Sequence, residues 1–452
     1  MERYEVYKPT GIEWMQEVPS GWGFSRLKHI ADINAKTLPE TTDETYTFRY
    51  LDIGNVTLGN IDYAGDTTTF KESPSRARRI VGKGDILIST VRTYLKAIAQ
   101  VEVEISDLVA STGFATLTAR SEVDKRFLFY LIINQGFVDT ISAFSTGVSY
   151  PAITATELGN MPVWFPISVE EQRSIVRFLD DKTAQVDQLI TQKQQMVALL
   201  QEERAALIDH AVTKGLNASA PLRDSGIDWL GKVPAHWEVK RLKNVCRLQG
   251  RVGFKGYQVS DLVGPGEGAL TVGGKHIRNN IMDVSNPDYI SWEKYYESPE
   301  IMIEVGDVIV AQRGTLGKVA YVKELSGPAT INPSLILLKD STIHGEFLYW
   351  YLRSNYVLKI VDMLNTSTAV PMLSQAQFSE FKILVPPDAE QRYIVERICA
   401  KEASISETVS TINKEINLLQ EYRAALIAEA VTGQVDVRQY EPAASITAEL
   451  FG

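Results

Sequence analysis

The chain says the same thing twice, and that duplication constrains its fold more than any other feature. Gly11-Ile12-Glu13-Trp14 with Val18-Pro19 and Trp22 returns as Gly226-Ile227-Asp228-Trp229 with Val233-Pro234 and Trp237. Leu200-Gln201-Glu202-Glu203-Arg204-Ala205-Ala206-Leu207-Ile208 returns as Leu419-Gln420-Glu421-Tyr422-Arg423-Ala424-Ala425-Leu426-Ile427. Between these anchors, Gly84-Asp85-Ile86-Leu87 matches Gly306-Asp307-Val308-Ile309, and Phe127-Leu128 matches Phe347-Leu348. Glu171-Gln172-Arg173 likewise matches Glu390-Gln391-Arg392. A spacing of roughly 220 residues is far longer than a solenoid repeat, so a whole domain is duplicated. Two similar units in one chain suit a protein that engages two similar things.

Each copy divides into two kinds of segment. Stretches 169–212 and 388–430 contain no Gly or Pro, and Pro166, Pro386 and Pro387 stand just before them, as at a helix N-terminus. In the second, Val395, Ile398, Ile405, Val409, Ile412, Ile416, Leu419 and Leu426 recur at three- and four-residue steps, an a/d seam. The first copy keeps it as Val176, Leu179, Val186, Ile190, Val197, Leu200 and Leu207, with Arg204 and Arg423 at matching seam positions. A long core helix would also carry an apolar stripe. The polar outward faces and the several heptads favour a coiled-coil pair, each helix on the order of 60 Å long.

Stretches 23–165 and 238–385 instead hold short β-rich runs broken by Gly, Asn and Ser. Each also holds one helical pattern, over 127–137 and 347–361, and a Thr/Ser-rich loop after it. The expected fold class is α+β: two similar globular domains joined by two long antiparallel coiled-coil helices, with internal pseudo-two-fold symmetry. The boundaries that follow are 1–165 for the first domain with its entry segment and 166–215 for the central helix. They continue with 216–385 for the second domain, 386–440 for the C-terminal helix and 441–452 for a tail. The second entry segment directly follows a long helix. The first would complete an equivalent junction if the end of the second helix returned to the N-terminus.

Hydrophobic content of 44% and charged content of 23% are those of a water-soluble globular chain. No apolar run reaches the ~18 residues of a membrane span, and the N-terminus lacks a signal-peptide pattern. Cys246 and Cys399 have neither metal-ligand spacing nor disulfide arithmetic and read as reduced core residues. A cytoplasmic protein is expected. The net charge of −10 argues against nucleic acid at first, but much of it lies in the helical stretches. Phosphates respond to local clusters, because charges are screened beyond about 10 Å.

Catalytic patterns are fragmentary. Gly273-Gly274-Lys275-His276 lacks the first Gly of a phosphate loop and has His where Ser or Thr is required. Asn332-Pro333-Ser334-Leu335 lacks the aromatic that would stack a flipped base in an amino-methyltransferase. Asp228, Glu238 and Lys240 imitate a metal-dependent nuclease triad, but Gly23 and Ser25 replace Glu238 and Lys240 in the other copy. The five histidines form no ligand pair. A non-catalytic chain without a metal or cofactor of its own is expected.

The basic residues do cluster. The first copy offers Arg76, Arg78 and Arg79 before Gly84-Asp85, then Arg92, Tyr94 and Lys96 after that strand, with Ser145 and Thr146 in the later loop. The second offers Lys255 and Tyr257, then Lys275, His276, Arg278, Asn279 and Asn280, then Arg313 and Lys318, with Ser367 and Thr368. Arg and Lys neutralise phosphates, Arg also reads guanine, Asn reads adenine, and Ser or Thr bonds to either. Any one of these could be a solvated surface residue. As clusters they lie in turns where the copies differ most, Arg92-Thr93-Tyr94 facing Arg313-Gly314-Thr315 while the preceding strand is kept. One scaffold with two sets of loops implies two different half-sites.

Here the residues become specific. The entry segments 11–22 and 226–237, the Glu-Gln-Arg helix starts, and the Arg-Ala-Ala-Leu-Ile helix ends each followed by Ala-Val-Thr resemble the DNA-specificity subunit of type I restriction–modification systems. The resemblance covers nearly the whole chain. It implies two target-recognition domains reading a bipartite, gapped double-stranded target, with the helix pair as the ruler between them. It implies a non-catalytic subunit that recruits two methyltransferase and two restriction/translocase subunits, which carry S-adenosylmethionine, ATP and Mg²⁺. Trp14, Trp22, Trp229, Trp237, Arg204 and Arg423 would then belong to partner surfaces. Two readers one helical turn apart, ~34 Å, fit that arrangement. Rigid linkage multiplies two weak affinities, so weak specific binding by the chain alone is expected. The alternative is an interaction scaffold with no DNA contact.

Overall fold

The computed structural model describes residues 2–64, 67–147, 151–227, 230–251, 257–365 and 370–442. The chain forms two compact units, Met1–Lys193 with Asn413–Gly452, and Gln194–Ile412. Each is described on its own.

In the first unit, Ile86–Ser89 pairs antiparallel with Ile98–Gln100 and Phe114–Ala119, and Ala31–Ile33 extends the sheet. A second four-stranded sheet runs Thr67–Thr69, Thr47–Leu51, Leu108–Ser111 and Ala77–Ile80, its central pair parallel. The second unit repeats both. Arg247–Gln249, Leu335–Lys339, Val308–Ala311 and Val319–Tyr321 form one sheet. Leu262–Val263, Asp288–Ser291, Gly268–Val272 and Ala329–Ile331 form the other, again with one parallel pair. The repeated Gly-Asp opens the same strand in both. Gly84 and Gly306 take φ of 98° and 100°. The carboxylates of Asp85 and Asp307 accept the backbone N–H of Gly82 and Glu304 at 2.8 Å, closing the turn.

The single helical stretch expected in each domain is a bent pair. Lys125–Ile133 and Gln135–Phe144 meet at 63°, and Gly345–Leu352 is followed by Asn355–Leu364. The apolar pattern runs through each break, but Asn134 and Ser354 turn extended there and cap the second helix with their side chains. Among the described residues, no single helix is long and apolar enough to cross a membrane.

Val169–Lys214 and Asp388–Val431 are the two long helices. In the first unit, Leu179 and Val186 pack in one core with Leu426, Ile427, Ala430 and Val431 of the opposing helix. In the second, Ile208, Ala211 and Val212 share a core with Ile394, Val395 and Ile398. Ion pairs cross the seam in each. Lys193–Glu415 at 2.5 Å and Arg423–Asp187 at 2.8 Å lie in the first unit. Arg204–Glu402 and Lys401–Glu203, the latter at 2.9 Å, lie in the second. The helices are antiparallel within each unit, because early residues of one meet late residues of the other.

Candidate nucleic-acid interface

The tryptophans of the entry segments hold junctions together. Trp22 and Trp237 are each 1% exposed and donate their indole N–H to Glu171 at 2.9 Å and Glu390 at 3.1 Å. The neighbouring Gln172 accepts from Asp124 N and donates to Pro166 O, and Gln391 accepts from His344 N and donates to Pro386 O. The repeated Glu-Gln thus ties each long helix to its entry tryptophan and to the start of the bent helix pair. The repeat marks Gln172 and Gln391 in the sequence, but not their partners at Asp124 and His344, which lie 48 and 47 positions away. Trp22 and Trp237 are therefore structural, a correction to their expected place on a partner surface. Arg204 and Arg423 are likewise taken by carboxylates across the seam. Trp14 is half-buried, edge-on to Phe137. Trp229 lies outside the described residues.

Gly215 and Gly433 follow the two helix ends at φ of 73° and 68°, where a side chain would press on Trp237 or on Pro19 and Trp22. In the first unit the returning chain bonds the N-terminus, Asp436 N to Glu2 O at 2.9 Å and Tyr7 OH to Gly433 O at 2.8 Å. The junction expected from the second copy is complete.

Several candidate DNA contacts in the first unit converge. Arg92 and Lys96 bracket the single turn Thr93–Leu95, both left-handed at φ of 51° and 52°. Arg92 N donates to Pro151 O, and Thr93 Oγ1 bonds Ser145 Oγ at 2.9 Å. Thr146 pairs with Ala152, which also bridges Val91. This draws Arg92, exposed Tyr94, Lys96, Ser145 and Thr146 into one cluster. Arg76 joins it through the backbone, its carbonyl accepting from Thr112 N next to Gly113, which accepts from Thr90. The Arg76 side chain pairs with Asp52 at 2.6 Å, and Lys96 bonds Gln135. Arg78 lies over the Phe70 ring, and Arg79 is half-buried against Thr37, so both are partly spent inside the strand Ala77–Ile80.

In the second unit, Asn279 and Asn280 form the two-residue turn between Ile277–Arg278 and Ile281–Met282, both left-handed. Asn280 is held by Val319 N and Tyr349 OH, whereas Asn279 is exposed. Lys275 pairs with Asp288 at 2.7 Å and Arg278 with Asp283 at 3.3 Å. Lys318 bonds Gly274 O, and Tyr257 accepts from Thr271. His276 is a correction. It is 3% exposed, Nδ1 accepts Gly273 N–H, and burial holds its pKa below the usual range, so it is a neutral turn residue. Arg313 is exposed with no side-chain partner among the described residues. The copies align one residue away from the expected register. Gly314 N bonds Pro371 O as Arg92 N bonds Pro151 O, so Arg92 stands opposite Gly314. Lys255, Ser367 and Thr368 lie outside the described residues. So does Asp228 of the triad, and Glu238 and Lys240 pair with each other at 2.6 Å.

A family model described as the type I restriction modification DNA specificity domain matches residues 19–198 and again 234–418. The chain belongs to this family. Among curated relatives, the MjaIX specificity subunit of Methanocaldococcus jannaschii is 21% identical over 97% of this chain and 98% of its own length. The MjaVIII specificity subunit of the same organism is 24% identical over 73% of this chain and 75% of its own. The fold is similar to a chain in a type I R-M system structure, with a TM-score of 0.72 at 21% identity over 92% of this chain and 99% of that one. It is also similar to the HsdS subunit from Thermoanaerobacter tengcongensis, with a TM-score of 0.51 at 21% identity over 92% and 98%. The two family matches fall on the two copies of the repeat, so duplication and family are one observation.

Proposed function

We propose that this chain is the sequence-reading, non-catalytic subunit of a cytoplasmic type I restriction–modification complex. It reads a two-part, gapped DNA target and directs adenine methylation and ATP-dependent restriction by partner subunits. The observation that carries this is one scaffold built twice with different loops in the same place, in a chain whose family is the DNA specificity domain. The loop around Arg92, Tyr94, Lys96, Ser145 and Thr146, with Arg76 beside it, reads one half-site. The loops bearing Lys275, Arg278, Asn279, Arg313 and Lys318 read the other. Arg92 supports this further, since a left-handed arginine is strained where the other copy uses Gly314.

Two methyltransferase and two restriction/translocase subunits complete the assembly and bring S-adenosylmethionine, ATP and Mg²⁺. The half-buried Trp14 and the outer faces of the long helices are their docking surface. Affinity of the chain alone is weak, because most candidate cations already have a carboxylate or carbonyl partner.

The test is a genome-wide map of methylated adenines in cells carrying a cognate methyltransferase, with and without this chain. A gapped motif methylated only when the chain is present supports the proposal, and exchanging residues 23–165 should change one half of that motif. Methylation independent of the chain would favour the protein scaffold instead.

A further inference from the structure

The second unit holds a cavity of about 930 Å³ between the helix Gly345–Leu352, the Asn279-Asn280 turn and the two long helices. Tyr321 and Tyr349 line it, their ring centroids 6.4 Å apart. Arg353 lies over the Trp350 ring at 4.6 Å and the Tyr349 ring at 5.2 Å, and donates to the Tyr349 hydroxyl at 2.8 Å. The other two cations of the lining are neutralised, Arg204 by Glu402 and Lys323 by Glu346. Arg353 makes no ion pair with a described residue. Trp350 is 4% exposed, with its indole N–H on the Cys399 thiol.

The first unit carries different side chains in the equivalent place. Arg126, where the second unit has Glu346, lies over Phe129 at 5.0 Å and Tyr130 at 5.2 Å. It bonds Asp180 at 3.0 Å, where the second unit has Cys399, and Glu102 at 2.9 Å. This set of side chains therefore belongs to one copy of the repeat, although the scaffold around it is shared.

Its chemistry defines a ligand. A guanidinium without a counter-charge calls for an anionic acceptor. Tyrosine rings and an arginine plane accept a flat ring by stacking. Glu324, on the lining and without an ion pair to a described residue, offers the carboxylate that a ribose diol takes. The volume lies within the ~300–1,000 Å³ of small-molecule sites. We propose that the second unit binds a nucleoside monophosphate here, with the phosphate at Arg353 and the base against the tyrosines. Tyr349 donates to Asn280 O at 3.0 Å, so an occupant would touch the group that fixes this turn.

The test is calorimetric titration of the full chain with AMP, with adenosine and inorganic phosphate as separate controls. One AMP should bind per chain, with each control at least about tenfold weaker, the scale of one charge-assisted contact. Arg353→Gln should weaken AMP about tenfold or more, while Arg126→Gln in the other copy leaves it unchanged. Because Arg353 ends a core helix, Ser406→Trp on the exposed helix face beside the cavity is a second variant, expected to block AMP without disturbing the fold. No binding at millimolar AMP, equal binding of phosphate, or unchanged affinity in folded Arg353→Gln or Ser406→Trp protein would overturn the proposal. None of these outcomes depends on DNA recognition.

Discussion

Glu171 accepts from both the Tyr4 hydroxyl and the Trp22 indole at 2.9 Å, so one carboxylate satisfies two buried donors. Glu171→Leu should destabilise the first unit by about 2–4 kcal/mol in urea unfolding, because each stranded donor keeps its desolvation cost. A loss under ~0.5 kcal/mol would mean that water replaces the carboxylate. His276 gives a pH dependence with a fixed sign. Burial lowers its folded pKa below the ordinary imidazole value of 6.5, so the unfolded chain binds the proton more tightly. Stability of the second unit should therefore fall as pH drops through the unfolded pKa toward the folded one, and His276→Gln should flatten that slope. Arg92 separates stability from reading. Arg92→Gly relieves a left-handed residue and should raise stability by up to about 1 kcal/mol, while lowering methylation of targets that carry the first half-site. A variant that loses both would make Arg92 a packing residue. At this scale the sequence displayed the repeated Glu-Gln and the basic clusters. It could not display their partners, since Trp22 lies 149 positions from Glu171 and the carboxylate on Lys275 arrives from Asp288.

At the scale of elements, the seam was the most legible feature, because a period of 3.5 survives over seven or eight positions whatever surrounds it. The bent helix pairs were not legible. An apolar run such as Phe127–Ile133 continues past Asn134, and only the capping bond from Gly136 N at 2.8 Å reveals the break. Turn chemistry was partly legible: Asn279-Asn280 reads as base-contacting amides in sequence, and the same two residues form a left-handed turn that the sequence reading did not include. The cross-seam ion pairs belong here as well. Arg423 and Asp187 should show a coupling of about 0.5–1 kcal/mol in a double-mutant cycle, shrinking as salt rises, since both are partly exposed. Zero coupling would mean that this pair does not help to set the register.

Across the whole molecule, the first unit is not a simple stretch of sequence. The first takes residues 1–193 and 413–452, and the second takes 194–412 between them. The two entry junctions are alike, but one is crossed by continuous chain after Gly215 and the other is closed by hydrogen bonds between residues 433–436 and the N-terminal strands. A permutant that links residue 440 to residue 2 and opens the chain within 216–221 should therefore fold, melting within about 5 °C of the parent. Aggregation of that permutant would show that the natural order of the chain matters to folding. On the ribosome the same arrangement reverses the usual order, in which the N-terminal domain folds first. The second unit has its full chain as soon as residue 412 emerges, while the first must wait for its closing helix and the Val435 and Val437 of its core. That delay is only a few seconds at about 5–20 residues per second. A premature stop near residue 413 would thus spare the later domain and leave the earlier one unfinished.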